Sequence, residues 1–104
     1  MTRVRLCSLS ELEPGSVRRF EADGTAIALA RCDDGFHAVL DNCSHEDFPL
    51  SEGEVFSDLC EIECVRHGST FSLVDGEPQS LPATHPVQVF EVVVTDGDVF
   101  VELS

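Results

Sequence analysis

Positive charge is the first thing this chain is short of. Six arginines stand against 20 acidic residues, leaving a formal net charge of −14 over 104 residues. Gripping a phosphate backbone takes a basic footprint, so nucleic acid is not an expected partner. An acidic surface suits a basic protein partner, whose approach it steers in a salt-sensitive way, and it also favours solubility. Long apolar runs are missing as well. The richest, Val87 to Val94, is broken by Gln88 and Glu91, whereas a membrane span takes about 20 mostly apolar residues. The segment from Met1 to Gly15 holds no apolar stretch long enough for a secretory signal. A cytoplasmic protein with no membrane contact is the expectation.

Helical periodicity, internal repeats and low-complexity segments are lacking too. Short strand-like runs punctuated by turns take their place. Asp23-Gly24 and Asp96-Gly97 are hairpin signals, and Asp33-Asp34-Gly35 is a third tight connection. Strands are expected at Thr2 to Leu6, Val17 to Glu21, Thr25 to Cys32, Phe36 to Leu40, Glu61 to Glu63, from His67 through Phe71, Val87 to Val94 and Val99 to Leu103. Leu9 to Gly15 reads as a turn, and Glu77 to Pro86, with three prolines, as a surface loop. The fold class is all-β, in one domain spanning residues 1–104.

Five cysteines make an odd number, and without an export signal a disulfide framework is not expected. Cys7, Cys32 and Cys60 lie in strand-like runs and read as small buried hydrophobes. On a strand, Cys60 would share a face with Ile62 and Cys64, which makes it packing rather than a ligand. His37 and His85 read as hydrogen-bonded structural residues. Cys43 and His45, and Cys64 and His67, form two short pairs with eighteen residues between His45 and Cys64. Thiolate and imidazole bind iron, zinc and copper readily. Loop punctuation at Asn42, Pro49, Gly53 and Gly68 lets two loops converge on one centre.

A C-x-H followed by a C-x-x-H-G resembles the signature of Rieske iron–sulfur proteins, and the resemblance extends from Phe36 to about Gly97. It implies one [2Fe–2S] cluster, with Cys43 and Cys64 on one iron and His45 and His67 on the other. It also implies three antiparallel sheets with a small cluster-binding subdomain at about residues 41–86. Pro82, in Leu81-Pro82-Ala83, is the candidate for a loop covering the cluster. High-potential relatives carry two further cysteines that brace the ligand loops; the corresponding residues here are Phe48 and Arg66. Ser69 is kept, but a tyrosine position is Phe71, which removes a hydroxyl donor to the cluster sulfurs. The resemblance therefore places the reduction potential in the lower half of the Rieske range of about −150 to +300 mV.

No Ser/His/Asp constellation, P-loop or dinucleotide glycine pattern is present, so the chain is not expected to be an enzyme by itself. Resemblance to the small ferredoxins of bacterial oxygenase systems implies a one-electron carrier, and a monomer is expected. It would run from an NAD(P)H-dependent flavin reductase to a terminal oxygenase. Similar proteins serve iron–sulfur assembly or nitrite reduction, and a redox sensor would share the cluster. A structural zinc module on the same four ligands is the reading from another class. Zinc modules usually group ligands of one kind as C-x₂₋₄-C and H-x₃₋₅-H, which the alternating pairs here fit poorly.

Overall fold

The computed structural model describes residues 2–43, 48–65, 68–79 and 85–103. Nine strands are present among them: β1 (Thr2–Ser8), β2 (Val17–Ala22), β3 (Thr25–Cys32), β4 (Gly35–Leu40), β5 (Val55–Phe56), β6 (Glu61–Cys64), β7 (Ser69–Ser72), β8 (Val89–Thr95) and β9 (Asp98–Leu103). Among the described residues helix is confined to two single 3₁₀ turns, Leu9–Glu11 and Leu50–Glu52. The all-β expectation matches. All three predicted turns close as two-residue hairpins, the one after β3 between Cys32 and Gly35. Ala22 pairs with Thr25 and Thr95 with Asp98, and both Asp-Gly pairs adopt positive φ, 52° and 82° for Asp23 and Gly24, 53° and 79° for Asp96 and Gly97. That backbone twist is the one flanking strands of a hairpin require.

All strand pairs are antiparallel, in a six-stranded sheet ordered β1-β9-β8-β4-β3-β2 and a three-stranded sheet ordered β5-β6-β7. The larger sheet is two three-stranded halves joined at β4–β8 by only two registered pairs, Ala38 with Phe90 and Val39 with Val89. Those halves and the small sheet correspond to the three sheets expected. β5 is two residues long, too short to carry a period in sequence.

β3 organises the interior because both of its faces are covered. Successive side chains of a strand point to opposite sides, and here each side meets a different buried cluster. Ile27 and Leu29 pack with Cys7, Ala22, Phe90, Val99 and Val101. Ala28, Ala30 and Cys32 pack with Leu50, Ile62, Phe71 and Leu73, the interior of the small sheet. Ile27 and Leu29 are fully buried, each contributing about 1.5–3 kcal/mol of transfer free energy. The alanine face presents short side chains to the small sheet, which lets that sheet seat closely.

Two expectations about cysteine are corrected. Cys32 and Cys60 are joined in a disulfide, with Cα atoms 5.4 Å apart across a sequence separation of 28. Cys60 is not on a strand: it precedes β6 in a turn, with φ of 54°. The Asp33 N–H donates to the Ser57 carbonyl at 3.1 Å, which brings the end of β3 against that turn. The pairing is a tertiary contact between segments that nothing in the local sequence connects.

Candidate metal centre

Cys43 follows β4, and backbone bonds fix its approach. Asp41 N–H donates to Ala26 O at 3.0 Å, and Asn42 N–H to Leu40 O at 2.8 Å. Cys43 N–H then donates across the loop to Phe48 O at 2.9 Å, closing the segment from 43 to 48 at its base. Just beyond, the 3₁₀ turn Leu50–Glu52 is tied back to the buried Asp41. Ser51 N–H donates to Oδ1 and Ser51 Oγ to Oδ2, both at 2.7 Å. Arg19 Nη1 on β2 reaches the same Oδ2 at 3.2 Å. The motif gave no sign of this bracket; Asp41 looked like one acid among twenty.

Cys64 ends β6 and pairs with Ser69 at the start of β7. The hairpin between them is tight, with Gly68 N–H donating to Cys64 O at 2.8 Å and Gly68 at φ 74°, a conformation that suits glycine. Along β6 and β7 burial alternates, so Ile62, Cys64, Ser69 and Phe71 are buried while their neighbours are less so. Val65, directly after Cys64, is exposed, which puts an apolar side chain at the solvent side of this hairpin.

The stretch that follows the Cys43 loop is locked to the strand that carries Cys64. Glu63 N–H donates to Glu54 O at 2.9 Å. Gly53 packs so closely on β6 that a Cβ there would lie 1.7 Å from the Glu63 carbonyl oxygen. A third segment is pinned alongside: Gln79 N–H donates to Thr70 O at 2.7 Å, Ser72 N–H to Glu77 O at 2.9 Å and Val87 N–H to Gly76 O at 2.9 Å. The proline-containing loop thus starts beside β7 and returns at its base.

Cys43 and Cys64 are both buried, belong to the same cluster as Leu50, Ile62 and Phe71, and are not disulfide-bonded. That suits a pair of thiolates for a soft metal group. His45, His67 and Pro82, like Arg66, lie outside the described residues. Ser69 and Phe71 are fully buried on the face that carries Cys64. His37 bonds through Nε2 to Asp34 Oδ1 at 3.0 Å.

A family model, Rieske [2Fe-2S] domain, matches residues 2–91. Ferredoxin CarAc of Metapseudomonas resinovorans is 41% identical over 99 residues, covering 94% of this chain and 91% of that protein. The solved ferredoxin of carbazole 1,9a-dioxygenase from Nocardioides aromaticivorans IC177 is 34% identical, with a TM-score of 0.93 over 97% of each chain. A solved complex of reduced oxygenase and oxidized ferredoxin in carbazole 1,9a-dioxygenase contains a chain 40% identical, with a TM-score of 0.88 over 95% of this chain and 91% of that one.

Proposed function

The chain belongs to the Rieske [2Fe-2S] domain family, and on that premise we propose that it is the ferredoxin of a multicomponent dioxygenase. It takes electrons singly from an NAD(P)H-dependent flavin reductase and hands them to a terminal oxygenase. It is an electron-transfer component, not a catalyst by itself. The cofactor is one [2Fe–2S] cluster, which supplies a reversible one-electron couple when bound. Cys43 and Cys64 would hold one iron as thiolates, and His45 and His67 the other as neutral imidazoles. The domain is single, with residues 41–86 as the cluster-binding part; it works as a monomer in the cytoplasm. Among the described residues no helix is long and apolar enough to cross a membrane.

One observation supports the reading most: two buried cysteines outside any disulfide, from separate segments, share one apolar cluster in a chain of this family. Replacing two thiolates of an all-cysteine site by neutral imidazoles removes two negative charges, so an added electron is accommodated more readily. Burial of the sulfur side limits water access and helps set the potential. The acidic surface supports fast, salt-sensitive docking to a basic face of each partner.

The test mixes purified holoprotein anaerobically with a flavin reductase and NADH, then with an oxidised terminal oxygenase of the carbazole 1,9a-dioxygenase kind. Visible absorption should bleach on the first addition and recover on the second, more slowly as salt rises. Bleaching without recovery against such oxygenases would remove the oxygenase as acceptor. Colourless protein holding one zinc would remove the cluster itself.

A further inference from the structure

A second set of metal-ligating side chains lies away from the Cys-His pairs. Cys32, Asp34, His37 and Cys60 each offer one ligand atom, and these atoms all lie within 4.8 Å of one another. Three come from the β3–β4 hairpin and the fourth from the turn before β6. The sulfurs are on the inside, with Cys32 and Cys60 buried, while the Asp34 carboxylate is largely exposed and His37 partly so. An ion can therefore reach the sulfurs from the solvent side past a carboxylate and an imidazole. Around a tetrahedral ion with bonds of about 2.0–2.3 Å, donor atoms sit roughly 3.3–3.8 Å apart. The widest separation among the four exceeds that of such a shell by about an ångström, and the two bonded sulfurs must part to join it.

The same two sulfurs form the Cys32–Cys60 disulfide, and they cannot be bonded to each other and to a metal at once. We propose that reduction of this bond opens a second metal site, in which Cys32, Cys60, His37 and Asp34 hold one zinc-like divalent cation. Two reductant thiols become their own disulfide, or a phosphine and one water become a phosphine oxide, and in either case the two electrons and two protons given up convert the Cys32–Cys60 disulfide into two thiols. Binding of the cation displaces those two protons and leaves two thiolates, one imidazole and one carboxylate on the metal. Sulfur and imidazole donors in a four-coordinate shell select zinc over magnesium or calcium, which prefer all-oxygen shells. The strongly acidic chain raises the local concentration of any cation.

In either state the place is a clamp. It ties the β3–β4 hairpin of the large sheet to the turn that leads into β6, the strand that delivers Cys64. Disulfide and metal are then alternative staples, one for oxidising and one for reducing conditions. This inference is independent of which proteins exchange electrons with the chain.

The test treats the holoprotein with a phosphine reductant, adds Zn²⁺ alone, and passes it through a desalting column before metal analysis. The reduced protein should retain one zinc per chain with its iron and visible absorption unchanged, and the unreduced protein none. Competition with a chromophoric zinc chelator should show binding weakened by at least the 10- to 100-fold that loss of even an outer partner of a metal ligand costs in His37→Ala. Cys60→Ser should abolish retention. Because His37 is partly exposed, its variant keeps the test open should Cys60→Ser fold poorly. No zinc on the reduced protein would overturn the proposal. So would equal zinc on the wild type and Cys32→Ser/Cys60→Ser, or zinc gained only as iron is lost.

Discussion

The Asp41 carboxylate accepts two hydrogen bonds from Ser51, one from its backbone N–H and one from its hydroxyl, both at 2.7 Å. With Arg19 on the same Oδ2 as the Ser51 hydroxyl, this closes the loop that carries Cys43 outside the Cys43–Phe48 bond. The Asp41 side chain is fully buried whereas Arg19 is half-exposed. The Ser51 bonds therefore count for more than the solvent-screened ion pair. Asp41→Ala should cost about 2–3 kcal/mol, the worth of a hydrogen bond to a charged group plus the cost of stranded donors. Urea unfolding measures that loss, and iron per chain should fall with it. Ser51→Ala, which keeps the backbone donor, should lose less. Equal losses would show that the hydroxyl contributes most of the bracket.

Gly53 yields a sharper steric prediction. Its φ of −91° is ordinary, so alanine would face no backbone strain. The obstacle is the Glu63 carbonyl, 1.7 Å from the Cβ position, and a backbone atom in a paired strand cannot swing aside. Gly53→Ala should destabilise by about 1–3 kcal/mol or more, and the push falls on β6 one residue before Cys64. Gly24→Ala is the control: its Cβ meets nothing within 4 Å, although φ is +82°. It should lose some stability and keep its full iron. A Gly53→Ala protein with unchanged iron and unfolding midpoint would contradict the packing described here.

What sequence disclosed and what it hid divide along the line between local and tertiary causes. The hairpins at Asp23-Gly24 and Asp96-Gly97 were legible because a two-residue turn writes its own chemistry into two adjacent positions. The Cys-His pairs stand out in sequence because their spacing is local; Cys43 and Cys64 are both buried, and His45 and His67 lie outside the described residues. The Cys32–Cys60 bond was not, since it joins residues 28 apart through the seating of the small sheet on β3. Reading Cys60 onto a strand hid it further, because the turn with φ of 54° carries no glycine to announce it. Asp41 and Gly53 act through partners, Ser51 and the Glu63 carbonyl, that only the folded chain supplies. The double-faced burial of β3 is marked in sequence only by the unbroken apolar run from Ala26 to Ala30.

Alkaline stability should be governed largely by Cys7. Burial raises its thiol above the ordinary value of 9.0, reinforced by the nearby Glu11 charge. The folded state then keeps its proton at pH values where the unfolded chain has lost it. The stabilisation is fully present below the unfolded thiol pKa and is lost as pH rises through the higher folded one. The background is clean, because the chain has no tyrosine and its basic residues are all arginine. With Cys32 and Cys60 bonded, and Cys43 and Cys64 on iron in the proposed holoprotein, Cys7 is the remaining thiol. Denaturation midpoints should fall from about pH 9 upward in wild type and flatten in Cys7→Ala. Parallel slopes in the two proteins would assign the alkaline loss elsewhere.

The last prediction concerns the potential. Phe71 is fully buried on the strand opposite β6, in the same apolar cluster as Cys43 and Cys64, and its ring brings no hydroxyl. A hydrogen bond donated to a cluster sulfur favours the reduced, more negative state, so its absence should hold the potential down. The wild-type value should lie in the lower half of the roughly −150 to +300 mV Rieske range. A midpoint above about +200 mV would contradict that placement. Phe71→Tyr restores a donor at this position. A net hydrogen bond of about 1 kcal/mol corresponds to roughly 40 mV for a one-electron couple, so the variant should move upward by about that much. The comparison needs only redox titration of the visible spectrum, with iron per chain confirming equal loading. A shift of the opposite sign at full loading would mean that the new hydroxyl finds a partner other than a cluster sulfur.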